Sequence, residues 1–330
     1  MFIGGGVSGP ACGRGRSCGL TTRTSPTRRR TVMSPTSESP MPTDHAQALR
    51  AQGIDAAELI DLADRALAED LGGGIDVTTA ATVPGDQRSV LDLVARADGV
   101  VAGLPVAAVV LERCGRVAVE LVASDGDRVS RGDVLLSAVG PTADLLTAER
   151  SALNLLCHLS GVATATSRWA DALAGTSARV RDTRKTTPGL RRLEKYAVRC
   201  GGGVNHRMYL SDAALVKDNH VVSAGGVGRA FALVREGFPG VPVEVEVDSL
   251  DQLSEVLAAG ADLVLLDNFT PDQMRQAVRI SGGRAVLEAS GGLTLADAAT
   301  VGSTGVDYIA VGALTHSAPV LDIGADLREV

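Results

Sequence analysis

The stretch VEVEVDSLDQLSEVLAAGADLVLLDN, residues 243–268, decides the fold. Residues 243–247 alternate valine with glutamate, 250–259 reads as a helix, and 263–266 is an unbroken apolar run closed by Asp267. A strand, a helix and a second strand within so short a span form a βαβ unit, whose strands must run parallel. Glu244 and Glu246 share one face of the first strand and the three valines share the other. In an antiparallel sheet that pattern marks a half-exposed strand. In a barrel, the carboxylate at the strand end points into the mouth, where it meets a ribose hydroxyl, a metal ion or a developing cation.

The same rhythm extends to both sides. Strands are expected at 178–182, 213–216, 243–247, 263–266, 285–288 and 308–311, with helices at 190–199, 226–236, 250–259, 271–280 and 295–301. Repeated units of this kind need right-handed crossovers and a parallel sheet; on six strands alone, a closed barrel and an open sheet fit equally. Upstream, 142–175 reads as one long helix carrying Glu149 and Arg150. Further upstream, 55–71 places Leu59, Ile60, Ala63, Leu67 and Leu71 along one helical side. Short apolar runs at 89–95, 100–101, 117–122 and 134–139, separated by Gly and Asp turns, complete a small α+β domain. The expected division is therefore an extension over 1–45, a sandwich domain over 46–150 whose sheet the C-terminal residues can join, and a catalytic barrel over 151–330.

Composition supports this division. Hydrophobic residues make up 45% of the 330 and aromatics only 2%, a palette that suits packed α/β layers better than an antiparallel sandwich. No run of 18 apolar residues occurs, so no membrane span is expected. Cysteines 12, 18, 114, 157 and 200 are odd in number and scattered, which points to a reducing cytoplasm rather than a disulfide framework. A net charge of -7 and a pI near 5.3 argue against a nucleic-acid binder. The first 45 residues hold six arginines and no acid before Glu38; they cannot bury a core and are expected to be disordered. They resemble an organellar transit segment in composition, but a start codon assigned upstream of Met33 or Met41 is the plainer reading.

The scarce cations are clustered. All three lysines and four of the five histidines lie at or after His158. In a parallel barrel, chemistry gathers at the C-terminal strand ends. Those ends here carry Thr183-Arg184-Lys185, Lys217-Asp218, Glu246, Asp267-Asn268, Ser290-Gly291-Gly292 and Gly312. Arg184 and Lys185 taken alone would be a solvated pair on a loop. Gly201-Gly202-Gly203 before Asn205-His206-Arg207 lets a ligand approach the main chain beside a guanidinium that can grip a carboxylate twice; a helix cap explains one of those glycines but not three. His206 equally suits a supporting or capping place, and Asp267 alone would cap the helix near Pro271. The glycine loops at 290–292 and 312 offer backbone N–H groups to a phosphate.

The runs Asp182-Thr183-Arg184-Lys185-Thr186, Glu194-Lys195-Tyr196-Ala197-Val198, Gly201-Gly202-Gly203-Val204-Asn205-His206-Arg207, Lys217-Asp218-Asn219-His220, Glu244-Val245-Glu246-Val247, Leu266-Asp267-Asn268-Phe269 and Glu288-Ala289-Ser290-Gly291-Gly292 resemble those of the quinolinate phosphoribosyltransferases. The likeness continues upstream through Ala68-Glu69-Asp70-Leu71-Gly72 and Thr147-Ala148-Glu149-Arg150, and covers about 56–325 in order. The looser turn Gly72-Gly73-Gly74-Ile75-Asp76 departs from it, away from the site.

The resemblance implies an N-terminal α/β sandwich, a barrel of about six parallel strands, and conversion of quinolinate and phosphoribosyl pyrophosphate (PRPP) to nicotinate mononucleotide, pyrophosphate and carbon dioxide with Mg2+. It implies a homodimer at minimum, with room for a higher oligomer, in which Arg150 reaches the partner's site. Arg150, Arg184, His206, Arg207 and Lys217 would hold the dicarboxylate, Lys185 and Lys217 would face PRPP, and Thr183 would join the substrate-binding set. Ser290, Gly291, Gly292 and Gly312 would hold its 5-phosphate, and Glu246 and Asp267 would meet the cation or the metal. Lys185, Lys217, Glu246 and Asp267 form the expected catalytic set. A related phosphoribosyltransferase for another aromatic acid, and a silent anion-binding protein of the same fold, are the alternatives.

Overall fold

The computed structural model describes residues 44–330. Most of the extension expected to be disordered lies outside these residues. Its last two, Asp44 and His45, are ordered instead, because His45 Nδ1 bonds Glu112 Oε1 at 2.8 Å.

The first half runs through helices α1 (Asp44–Ala48), α2 (Ala56–Leu71) and α3 (Val77–Thr82), then strands β1 (Arg88–Ala95) and β2 (Gly99–Val100). Helix α4 (Leu104–Cys114), strands β3 (Ala118–Leu121), β4 (Arg128–Val129) and β5 (Val134–Pro141), and helix α5 (Thr142–Ala172) follow. The second half begins with β6 (Arg179–Arg181), α6 (Arg191–Cys200), β7 (Ala214–Val216), α7 (Asp218–Ala224) and α8 (Val227–Gly237). It continues through β8 (Val243–Val247), α9 (Leu250–Ala258), β9 (Leu263–Asp267), α10 (Pro271–Ser281) and β10 (Val286–Ser290). It closes with α11 (Ala298–Gly302), β11 (Tyr308–Ala310), α12 (Ala313–His316) and β12 (Ile323–Glu329).

Local chemistry explains the boundaries. Helix α2 starts where the Asp55 carboxylate accepts from Ala57 N–H, and buries the stripe Leu59, Ala63 and Leu67. Helix α10 opens on a reciprocal cap between Thr270 and Gln273, with Pro271 in its first turn. Helix α4 had no periodic signal in the sequence: its residues 104 to 111 are all buried, so no polar face marks its turns. The antiparallel sheet has the order β12-β1-β5-β3, and α4 and α5 pack against its strands. Helix α5 runs unbroken through residues 150 and 151 and also packs on α6.

The parallel sheet has the order β6-β11-β10-β9-β8-β7. No ladder joins β6 to β7 among the described residues. The segment at Val204 lies beside β6 instead, exchanging backbone bonds with Val180 and Asp182. The sheet nevertheless curls round, because one cavity is lined from all six strands. Of the two architectures the sequence left open, the barrel is the one formed. Valines 243, 245 and 247 are buried, while Glu244 and Glu246 project to the barrel's inside.

Candidate active site

The cavity of about 620 Å³ opens at the C-terminal strand ends. Thr183, Arg184 and Lys185 enter it from the loop after β6, and His206 and Arg207 from the segment beside that strand. Lys217 follows β7, Glu246 ends β8, Asp267 ends β9, Ser290, Gly291 and Gly292 follow β10, and Gly312 follows β11. Every expected site residue except Arg150 is therefore brought together. Arg150, on α5, is absent from this lining; its side chain is 63% exposed and its recorded ion pair is with neighbouring Glu149 at 4.0 Å.

Two guanidiniums dominate the electrostatics. Arg184 and Arg207 each have a buried Nε without a hydrogen-bond partner. Burial, and then the nearby Arg184 charge, push the Arg207 guanidinium below its usual range. Orphaned donors of like charge in one cavity fit an anion that pairs with both. Lys217 Nζ donates to Glu246 Oε2 at 2.5 Å, so the two charges are paired within the cavity. Its backbone N–H donates to His220 Nδ1, so His220 caps α7. Lys185 lies against the loop after β11, where a Cβ on Gly312 would stand 3.0 Å from its Cδ. His316, four residues after Gly312, also lines the cavity; that spacing on one helical turn is the signal that would have found it.

His206 differs from expectation. It reaches the cavity wall, but both ring nitrogens are taken: Nδ1 accepts from Arg207 N–H at 2.7 Å, which leaves Nε2 protonated and donating to Glu244 Oε2 at 2.6 Å. It therefore has no free nitrogen for a carboxylate and acts on the backbone of Arg207. A cation on Nε2, which Glu244 and Glu288 surround, would have to displace that proton.

The triple glycine is also explained differently. A Cβ on Gly201 would stand 2.3 Å from Ala163 O, and one on Gly203 would stand 2.7 Å from Thr166 Cγ2. These glycines let the loop pack onto α5 rather than onto a ligand. At Gly291 the neighbouring loop decides: φ is +100°, and a Cβ would collide with Asn268 Oδ1 at 2.2 Å. Asn268 is itself left-handed, with φ of 57°.

A polar core adjoins the cavity, and Glu288 belongs to both. Arg181 donates to Glu288 Oε2 at 2.6 Å and stacks over the Tyr308 ring at 4.6 Å. Glu244 and Glu288 are buried, and each keeps one unpaired oxygen. Burial, and then the Glu244 charge, push the Glu288 carboxyl up to about 7, against the pull of Arg181 and His206. The native state thus holds more protons than the unfolded chain between about 4.5 and about 7, so this group makes stability fall as pH rises through that window. Glu288→Gln should remove that part of the slope. Thermal unfolding across the window checks it, and an unchanged slope would discard the assignment.

Comparison with known proteins agrees with this geometry. The family model of the quinolinate phosphoribosyl transferase C-terminal domain matches residues 162–326, and that of the N-terminal domain matches residues 76–160. The chain belongs to the quinolinate phosphoribosyl transferase family. It is 53% identical over 280 residues to the carboxylating nicotinate-nucleotide pyrophosphorylase of Mycobacterium leprae, covering 83% of this chain and 98% of that one. A probable enzyme of the same name from Bacillus subtilis is 42% identical over 264 residues, covering 78% and 90%. The crystal structure of NadC from Streptococcus pyogenes superposes with a TM-score of 0.80 at 40% identity, covering 84% and 99%.

Proposed function

We propose that the chain transfers the phosphoribosyl group of PRPP to quinolinate, giving nicotinate mononucleotide, pyrophosphate and carbon dioxide in NAD biosynthesis. The observation that carries this reading is the pair Arg184 and Arg207, each with an unpartnered buried Nε in one cavity. Quinolinate offers two adjacent carboxylates on a pyridine ring, and each charge-assisted contact is worth ~1.5–3 kcal/mol. Family membership selects this dicarboxylate over other aromatic acids.

As the bond from ribose C1 to pyrophosphate breaks, its electron pair leaves with pyrophosphate and positive charge develops on the ribose. Glu246 and Asp267 at the mouth face that charge and the ribose hydroxyls. The pyridine nitrogen then supplies the pair for the new C–N bond. The resulting ring cation accepts the electrons of the adjacent carbon–carboxyl bond as carbon dioxide leaves, and a proton from solvent completes that carbon. Lys185 and Lys217 balance the pyrophosphate, and the backbone at Ser290, Gly291, Gly292 and Gly312 receives the 5-phosphate. No residue need become covalently attached; positioning and electrostatics suffice.

Mg2+ fits this donor set, which offers two carboxylates beside a polyphosphate subsite and no soft ligand. Glu246 and Asp267 would hold the ion, which would neutralise the leaving pyrophosphate. Exposed Arg150 is suited to complete the site of a second copy in a homodimer. Among the described residues no helix is long and apolar enough to cross a membrane, and the cytoplasm is the proposed compartment.

The test is release of labelled carbon dioxide from carboxyl-labelled quinolinate, measured with and without PRPP and Mg2+. Release that needs all three is expected. Release without PRPP, or none, would remove the proposal.

A further inference from the structure

We infer that Lys195 and Asp182 are positioning residues for Arg207, clamping the peptide that carries it against the dicarboxylate. Both side chains are wholly buried and form an ion pair. The pair is not merely a core feature, because its two ends seize the two backbone polar groups of one residue. Asp182 Oδ1 accepts from His206 N–H at 2.8 Å, and Lys195 Nζ donates to His206 O at 3.0 Å. Asn205 Nδ2 closes the ring, donating to Asp182 Oδ2 at 2.5 Å and to Lys195 O at 2.8 Å. Arg207 follows directly, its own N–H bound to His206 Nδ1. The residue that binds substrate therefore hangs from a backbone unit held at both its donor and its acceptor.

Burial presses both charges toward neutrality, raising the Asp182 carboxyl and lowering the Lys195 ammonium. Hydrophobic replacement of such a pair is often neutral or stabilising for a fold. Its presence here is better explained by what it holds. The neighbouring residue on α6 does matching work for the other cationic loop: buried Glu194 accepts from Thr187 N–H at 3.0 Å and bonds His158 Nε2 at 2.8 Å. One helix thus supports the two loops that carry Arg184 and Arg207.

This inference rests on the reading of Arg207 as a carboxylate contact, so the wild-type enzyme must first show PRPP-dependent decarboxylation of quinolinate. Failure there removes the proposed reaction, not the clamp. In an active enzyme, Lys195→Met should raise the quinolinate KM by about tenfold or more, the effect of loosening one charge-assisted contact. The PRPP KM should stay within about twofold. The double variant Asp182→Asn with Lys195→Met separates positioning from stability. It leaves no lone buried charge and should recover the wild-type melting temperature, but it has no donor for His206 O, so its quinolinate KM should stay raised. Wild-type KM values in the folded double variant would overturn the inference, as would an equal rise in both KM values. A double variant that cannot fold would also overturn it, because the pair would then serve the fold itself.

Discussion

Arg184→Ala should cut kcat/KM for quinolinate by about a hundredfold or more, while the protein melts at the same temperature or slightly higher. Loss of a contact worth ~3 kcal/mol corresponds to roughly two orders of magnitude. The stability half follows from the protein's own contacts, since Arg184 and Arg207 repel each other and a buried Nε on each lacks a partner. Removing one guanidinium deletes an unsatisfied donor and relieves the other. Steady-state kinetics with thermal unfolding on one preparation checks both halves. Unchanged kinetics would remove Arg184 from the substrate site, and a large fall in melting temperature would show that it serves the fold instead.

The second large effect concerns Arg150. It lies outside the cavity of its own chain, and the proposal places it in the site of another copy. Arg150→Ala and Arg207→Ala should each be nearly inactive alone. Mixed in equal amounts and allowed to exchange, half of the dimers should be mixed, and each mixed dimer should hold one intact site and one doubly damaged site. Recovery should approach about a quarter of wild-type activity, the ceiling for a two-fold dimer. No recovery from two variants that demonstrably exchange subunits would rule out the shared site.

Much of this was legible in the sequence because the barrel is periodic. The run Leu263 to Leu266 closed by Asp267 marks a strand and its mouth residue together, and the same reading recovers Glu246, Ser290 and Gly312 at neighbouring strand ends. What escaped was information that sequence spacing does not carry. Helix α4 is apolar all round and so shows no face. The glycines at 201 and 203 suit a ligand as well as a helix until Ala163 and Thr166 are found against them. His206 has the right chemistry for a carboxylate, but Arg207 and Glu244 occupy its nitrogens through a tertiary contact and a backbone bond. Lys195 reads as one more cation beside the cluster, and only its full burial against Asp182 sets it apart from Lys185 and Lys217.

Strand β12 constrains how the molecule can be made. It pairs along β1 from Ser89 with Glu329 to Ala95 with Ile323, and Arg328 reaches Asp92 across 236 residues of chain. During synthesis on a ribosome, β1 emerges early and keeps one edge unpaired until nearly the whole barrel has followed. An open edge is a template for another strand. A nascent chain therefore passes through a long interval in which a neighbouring copy on the same messenger could supply the missing strand, and chaperones that shield strand edges should matter more to its yield than the stability of the finished enzyme.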